Sequence, residues 1–164
     1  MFLSVFDMFK IGIGPSSSHT MGPMSAAGMF LDALRKRGSK DVARLRCTLY
    51  GSLAFTGKGH ATDRAVMLGL LGRTPEAVDP DQIEDMTRAL SESRRITPTG
   101  LPEMIFDPAA DLVFDYGDPL PGHANGMTLA ALDASGNTVT KRTYYSIGGG
   151  FVVEDGEIEE THEG

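Results

Sequence analysis

At 164 residues the chain is long enough for one domain with a real core and too short for two ordinary ones. Fifteen Lys and Arg against 22 Asp and Glu leave a formal net charge of −7, and no basic tract offsets it. A surface of that sign has no attraction for nucleic acid or an anionic membrane, so the expected partners are a small molecule and another protein.

Met1 to Lys10 is apolar but is broken by Asp7, and it lacks both a basic n-region and an apolar run long enough for a signal peptide. No other segment approaches the roughly 20 apolar residues that span a bilayer, so a cytoplasmic location is expected. The single cysteine, Cys47, excludes an internal disulfide. It sits in an apolar, strand-like run, where a buried inert thiol is the expected state.

Residues 11 to 23 read Ile-Gly-Ile-Gly-Pro-Ser-Ser-Ser-His-Thr-Met-Gly-Pro. Gly12 and Gly14 let the backbone approach a ligand, and Pro15 stiffens the turn. The hydroxyls of Ser16, Ser17, Ser18 and Thr20 and the imidazole of His19 gather just ahead of a helical pattern. Its first turn adds unpaired N–H groups and the positive end of the dipole. The segment reads either as a seat for a small anion or as a serine-rich N-cap without a ligand.

Met24, Ala27, Gly28, Leu31 and Leu34 follow at helical spacing, and Arg35, Lys36, Arg37 and Gly38 supply a basic last turn and a glycine stop. The first helix is thus expected over residues 18 to 37. Leu45 to Phe55 reads as a buried strand, and Thr56-Gly57-Lys58-Gly59 as a flexible turn into a second helix with Ala61, Ala65 and Leu68 on one face. Pro80 to Arg94 gives a third, peripheral helix. Short strands are expected near 103–106 and 111–115, followed by a hairpin of Met127–Asp133 and Thr138–Ile147 around Ala134-Ser135-Gly136-Asn137. The order predicts an α+β fold with helices over one mixed, largely antiparallel sheet. Residues 1 to 153 form the domain. Glu154 to Gly164, with six acidic side chains, reads as a tail or linker that adds nothing to the core.

Three further clusters carry chemistry. In Gly57-Lys58-Gly59-His60-Ala61-Thr62-Asp63-Arg64, a helix starting near His60 places Asp63 on its first turn, beside the imidazole. The dipole disfavours the histidine cation and Asp63 favours it. On the residues alone this is more simply a solvated histidine beside a first-turn carboxylate; the other reading is a poised base. In Pro119-Leu120-Pro121-Gly122-His123-Ala124-Asn125-Gly126, Asn125 offers an amide to a ligand or simply makes the turn. Tyr144 to Phe151 ends a strand in three glycines, an anion nest or a hinge. His19, His60 and His123 lack the spacing of a metal motif, so no protein-borne metal site is expected.

Taken in order, Ser4-Val5-Phe6-Asp7-Met8-Phe9, Gly14 to Pro23, Tyr50-Gly51-Ser52-Leu53-Ala54, Thr56 to His60 with Thr62-Asp63, His123 with Asn125-Gly126-Met127, and Tyr144 to Phe151 resemble the β domain of the bacterial iron–sulfur-dependent L-serine dehydratases. The resemblance runs from about residue 4 to residue 153. It implies a fold similar to the regulatory, serine-associated domain of some phosphoglycerate dehydrogenases. It also implies deamination of L-serine to pyruvate and ammonia, a step of serine catabolism that feeds gluconeogenesis, in a homo-oligomeric enzyme.

By that resemblance His60 is the base that removes the α-proton, and Ser16, Ser17, His19 and Asn125 bind the substrate, supported by Ser18, Thr20, Lys58, Asp63 and His123. The family's four-iron, four-sulfur cluster acts as a Lewis acid on the serine hydroxyl and is held by cysteines of a separate α half. With Cys47 alone this chain cannot ligate it. The expectation is therefore an excised domain or a β chain, inactive by itself and completed by an α half. A regulatory module that binds L-serine without taking part in chemistry is the alternative.

Overall fold

The computed structural model describes residues 19–57, 61–148 and 151–155. Ser16, Ser17, Ser18, Lys58, His60, Gly149 and Gly150, and residues 156–164, lie outside the described residues.

Helix α1 runs Met21–Arg37. Its buried face is the one read from spacing: Met24, Ala27, Phe30, Leu31 and Leu34 are all essentially inaccessible. It stops where the glycine signal placed the stop. Gly38 takes φ 73° and its N–H bonds Leu34 O and Arg35 O, the left-handed cap that a Cβ disfavours. Arg35, Lys36 and Arg37 lie against the negative end of the dipole.

Strand β1 covers Arg44–Tyr50, and the chain then departs from expectation. Residues 51–55, read as the second half of a buried strand, belong instead to helix α2, Gly51–Gly57. The break is at Gly51, which has φ +53°, a value β-branched and apolar residues avoid. Local propensity gave no warning, because Leu53 and Ala54 are buried in either conformation.

Helix α3 (Thr62–Leu70) follows, then a 3₁₀ turn at Pro80–Gln82 that feeds α4 (Ile83–Ser93). Asp79 caps that turn by accepting from the Asp81 N–H. Helix α4 buries Ile83, Thr87 and Leu90. The short strands β2 (Arg95–Ile96) and β3 (Met104–Ile105) come next, then a one-turn helix α5 (Pro108–Asp111) and strand β4 (Leu112–Asp115). Strands β5 (Gly126–Leu132) and β6 (Thr138–Gly148) form the hairpin, and β7 (Phe151–Glu154) closes the sheet.

Among the described residues the sheet has seven strands in the order β2-β3-β1-β5-β6-β7, with β4 also paired to β1. β3 and β4 run parallel to β1, and every other pairing is antiparallel. The fold is therefore α+β with a mixed, largely antiparallel sheet. Register explains the core: Leu45 pairs with Ala131, Cys47 with Leu129 and Leu49 with Met127, so these six side chains share one face. That face packs on Phe30, Leu31 and Leu34 of α1. Arg44, Arg46 and Thr48 point the other way.

Two helices meet closely. A Cβ on Gly69 of α3 would lie 2.4 Å from Met24 O and 2.7 Å from Ala27 Cβ, so glycine permits α1 and α3 to touch. The second apolar cluster, Met21, Met24, Ala61, Ala65, Leu68 and Ile83, forms along this contact and joins the start of α1 to the start of α3. Glu154, read as the first residue of the acidic tail, is the last residue of β7. It is buried, and its carboxylate accepts from Arg142. Among the described residues no helix is long and apolar enough to cross a membrane.

Candidate functional site

His19 precedes α1 by two residues, and its position is fixed from three directions. Its imidazole Nε2 lies 2.8 Å from Ser52 Oγ, in the first turn of α2. Its carbonyl accepts from the Thr62 hydroxyl, at the start of α3, at 2.6 Å. Two residues later its own chain enters α1. One histidine thus ties together the starts of three helices, and the Gly69 contact holds two of those helices at the required distance.

Burial disfavours the imidazolium, so the pKa of His19 is lowered from 6.5, while a hydrogen bond to the Ser52 backbone acts in the opposite direction. The net direction keeps the ring neutral near pH 7. A neutral, oriented imidazole binds and orients a substrate without adding a positive charge.

Ser52 extends the network to the loop before β5. Its N–H donates to Ala124 O at 3.0 Å. Gly51 makes that approach possible, since a Cβ there would stand 2.4 Å from the same Ala124 oxygen. Asn125, the next residue, donates one of its amide N–H groups to Ser146 O at 3.2 Å and accepts from Ser146 N–H at 3.0 Å through its own carbonyl. Its backbone N–H donates to His123 Nδ1 at 3.0 Å, so His123 braces the turn from an exposed position. The loop is further packed by Gly122 and Gly126, both against the Tyr145 ring.

The structure therefore brings His19 and Asn125 into one network through Ser52 and Ala124, and puts His123 behind Asn125. Thr20 makes no side-chain cap for α1; its carbonyl instead accepts from Met24 N–H. Asp63 lies on the first turn of α3, where its carboxylate accepts from the Arg64 N–H at 2.8 Å. Ser52, Thr62 and Ser146 were not singled out from the sequence, although each falls inside a stretch that carries the family resemblance. Their importance comes from partners 21 to 43 positions away.

The chain's own residues do not fit an iron–sulfur cluster. Cys47 is fully buried within β1, and burial pushes its thiol far up, away from the thiolate a cluster requires. Among the described residues, no group of three or more His, Cys, Asp and Glu is placed to hold a metal ion.

The described residues thus form an α+β domain in which the starts of three helices meet at a neutral histidine, beside an asparagine-bearing turn. Residues 4–157 match the model of the serine dehydratase beta chain, and the chain belongs to that family. It is similar to an L-serine dehydratase of Streptomyces coelicolor, with 51% identity over 159 residues, 96% of this chain and 35% of that protein. It is also similar to L-serine dehydratase 1 of Escherichia coli, 46% identical over 155 residues, 93% of this chain and 34% of that protein. The L-serine dehydratase of Helicobacter pylori is 39% identical over 160 residues, 98% of this chain and 35% of that protein. The chain thus spans about a third of the length of the curated relatives it matches.

Proposed function

We propose that this chain is the β half of an L-serine ammonia-lyase, contributing substrate-binding groups and a base to an active site shared with an α half. The relatives named L-serine dehydratase support the reaction. The observation that carries the role of this chain is the convergence of His19, Ser52 and Asn125 at the start of α1. That convergence supplies neutral donors and a helix N-terminus to a carboxylate.

In this reading the carboxylate of L-serine and its neighbouring groups are bound by Ser16, Ser17, His19 and Asn125, at the start of α1. Such positioning contributes several kcal/mol, of the order seen when a reacting group is pre-oriented. His60, in the short segment between α2 and α3, removes the α-proton as a neutral base. The hydroxyl leaves as water, and the resulting enamine tautomerises to an imine that takes up a water to give pyruvate and ammonia. Activation of the leaving hydroxyl belongs to the α half, which carries the iron–sulfur cluster in this reading; the isolated chain is inactive. The assembled enzyme works as a homo-oligomer in the cytoplasm.

The test is His60→Ala in the assembled enzyme, assayed for pyruvate. A fall in kcat by a factor of about 100 or more is expected for loss of a general base. Retained kcat with an altered dependence on serine concentration would instead make the chain a regulatory serine-binding module.

A further inference from the structure

Ser146 is buried to 1% exposure, and among the described residues its hydroxyl has no hydrogen-bond partner. Its backbone is fully used: the N–H donates to Asn125 O and the carbonyl accepts from the Asn125 amide. The side chain is thus held in place by the same residue that faces the substrate in the proposed site, yet its own polar atom is left over. A buried hydroxyl without a partner is costly, and such groups call for a reason.

The reason lies in what the hydroxyl faces. It is directed at Gly22, the second residue of α1, where a Cβ would stand 1.9 Å from the oxygen. The hydroxyl occupies the place a side chain would take, so only glycine lets it lie against the first turn of α1. In the first turn of a helix the N–H groups of Met21 and Gly22 have no partner within the helix, and the dipole favours negative charge there. A donor hydroxyl, first-turn N–H groups and an adjacent neutral imidazole make a seat for one carboxylate.

We infer that Ser146 is a further substrate-binding residue, its hydroxyl donating to the carboxylate of L-serine across the first turn of α1 from Gly22. This rests on the carboxylate placement proposed above and adds to it a group from the far strand of the hairpin. The ligand closes what the protein leaves open: the carboxylate oxygen accepts from Ser146 Oγ and from the helix start. Asn125 then has two tasks, to face the substrate and to hold Ser146 in register. Gly22 is the complement of Ser146, since its lack of a side chain lets the hydroxyl lie against the helix start.

The test uses the assembled enzyme carrying Ser146→Ala, with two readouts. In pyruvate assays KM for L-serine is expected to rise about tenfold with kcat changed by less than about threefold, the pattern for a lost hydrogen bond to a charged group in both ground and transition states. In calorimetric titration of cluster-free enzyme, which does not turn over, Kd for L-serine is expected to rise by about the same factor. A hydroxyl that merely fills space would leave both constants unchanged while shifting the melting temperature. Ser146→Cys keeps the bulk and weakens the donor, and it is expected to raise KM in the same direction. Unchanged KM and Kd in either folded variant overturns the inference. If His60→Ala retains turnover while Ser146→Ala still weakens serine binding, the catalytic reading falls and the Ser146 assignment stands.

Discussion

Replacing Gly51 by alanine perturbs the fold where the strand gives way to the site. Two costs add. Gly51 has φ +53°, and a side chain in the left-handed region costs about 1–2 kcal/mol. The new Cβ would also lie 2.4 Å from Ala124 O, a backbone atom that cannot rotate away, so the loop must move and the Ser52 N–H bond to that oxygen is lost, about 1 kcal/mol more. The sum is about 2–3 kcal/mol. For a domain of this size that lowers the melting temperature by about 4–12 °C. Gly72→Ala is the control. Its φ is +88°, but nothing lies within 4 Å of the added Cβ, so only the conformational cost applies, about 2–4 °C per kcal/mol. Thermal unfolding followed by circular dichroism reads both variants. If Gly51→Ala melts no lower than Gly72→Ala, the Ala124 contact does not hold the site and the geometry argued from it is wrong.

Because burial holds the pKa of His19 below 6.5, the unfolded chain binds more protons than the folded one as pH falls below that value. Stability is expected to be complete above about pH 6.5 and to decline toward the folded-state pKa, a decline that His19→Gln should reduce; NMR titration of the ring and melting curves from pH 7 to 5 measure it. Asp111 is fully buried, with Arg44 at 3.1 Å and the Asp107 N–H at 2.8 Å on its two oxygens. Asp111→Ala should cost about 2–3 kcal/mol in urea unfolding, and a loss under about 0.5 kcal/mol would show that the carboxylate is not structural. The thiol of Cys47 should resist an aromatic disulfide reagent at pH 8 until denaturant is added, since burial both shields it and suppresses its thiolate; rapid labelling of the native chain would contradict its place in β1.

Much of the scaffold was legible because its signals are local. The apolar spacing and Gly38 stop of α1, and the turn before Asn137, depend on residues within a few positions of one another. In that turn Asp133 accepts from Asn137 N–H and Ser135 N–H, and the Asn137 bond foremost, with those of Ser135, the Asn137 amide and Gly136, holds its carboxyl below the usual range. Helix α5 was missed although Asp107-Pro108 carried a start signal: the aspartate accepts from Ala109 N–H and proline occupies the first turn. The helix at Gly51–Gly57 was hidden for a different reason. The run from Leu45 to Phe55 is rich in strand formers and compatible with a strand, whereas the positive φ of Gly51 and its close approach to Ala124 O depend on a residue more than 70 positions away. The site shows the same division. His19 and Asn125 were visible as residue types in glycine- and proline-rich loops, whereas Ser52, Thr62 and Ser146 matter through bonds that no short window contains.

The central claim is that the chain supplies half of an active site. The most direct measurement is pyruvate formation from L-serine by this chain alone, by the α half loaded with its iron–sulfur cluster alone, and by the two together. The account predicts activity only when both are present, lost again when His60→Ala replaces the native chain. Turnover by either part alone, at the rate of the mixture, would contradict it.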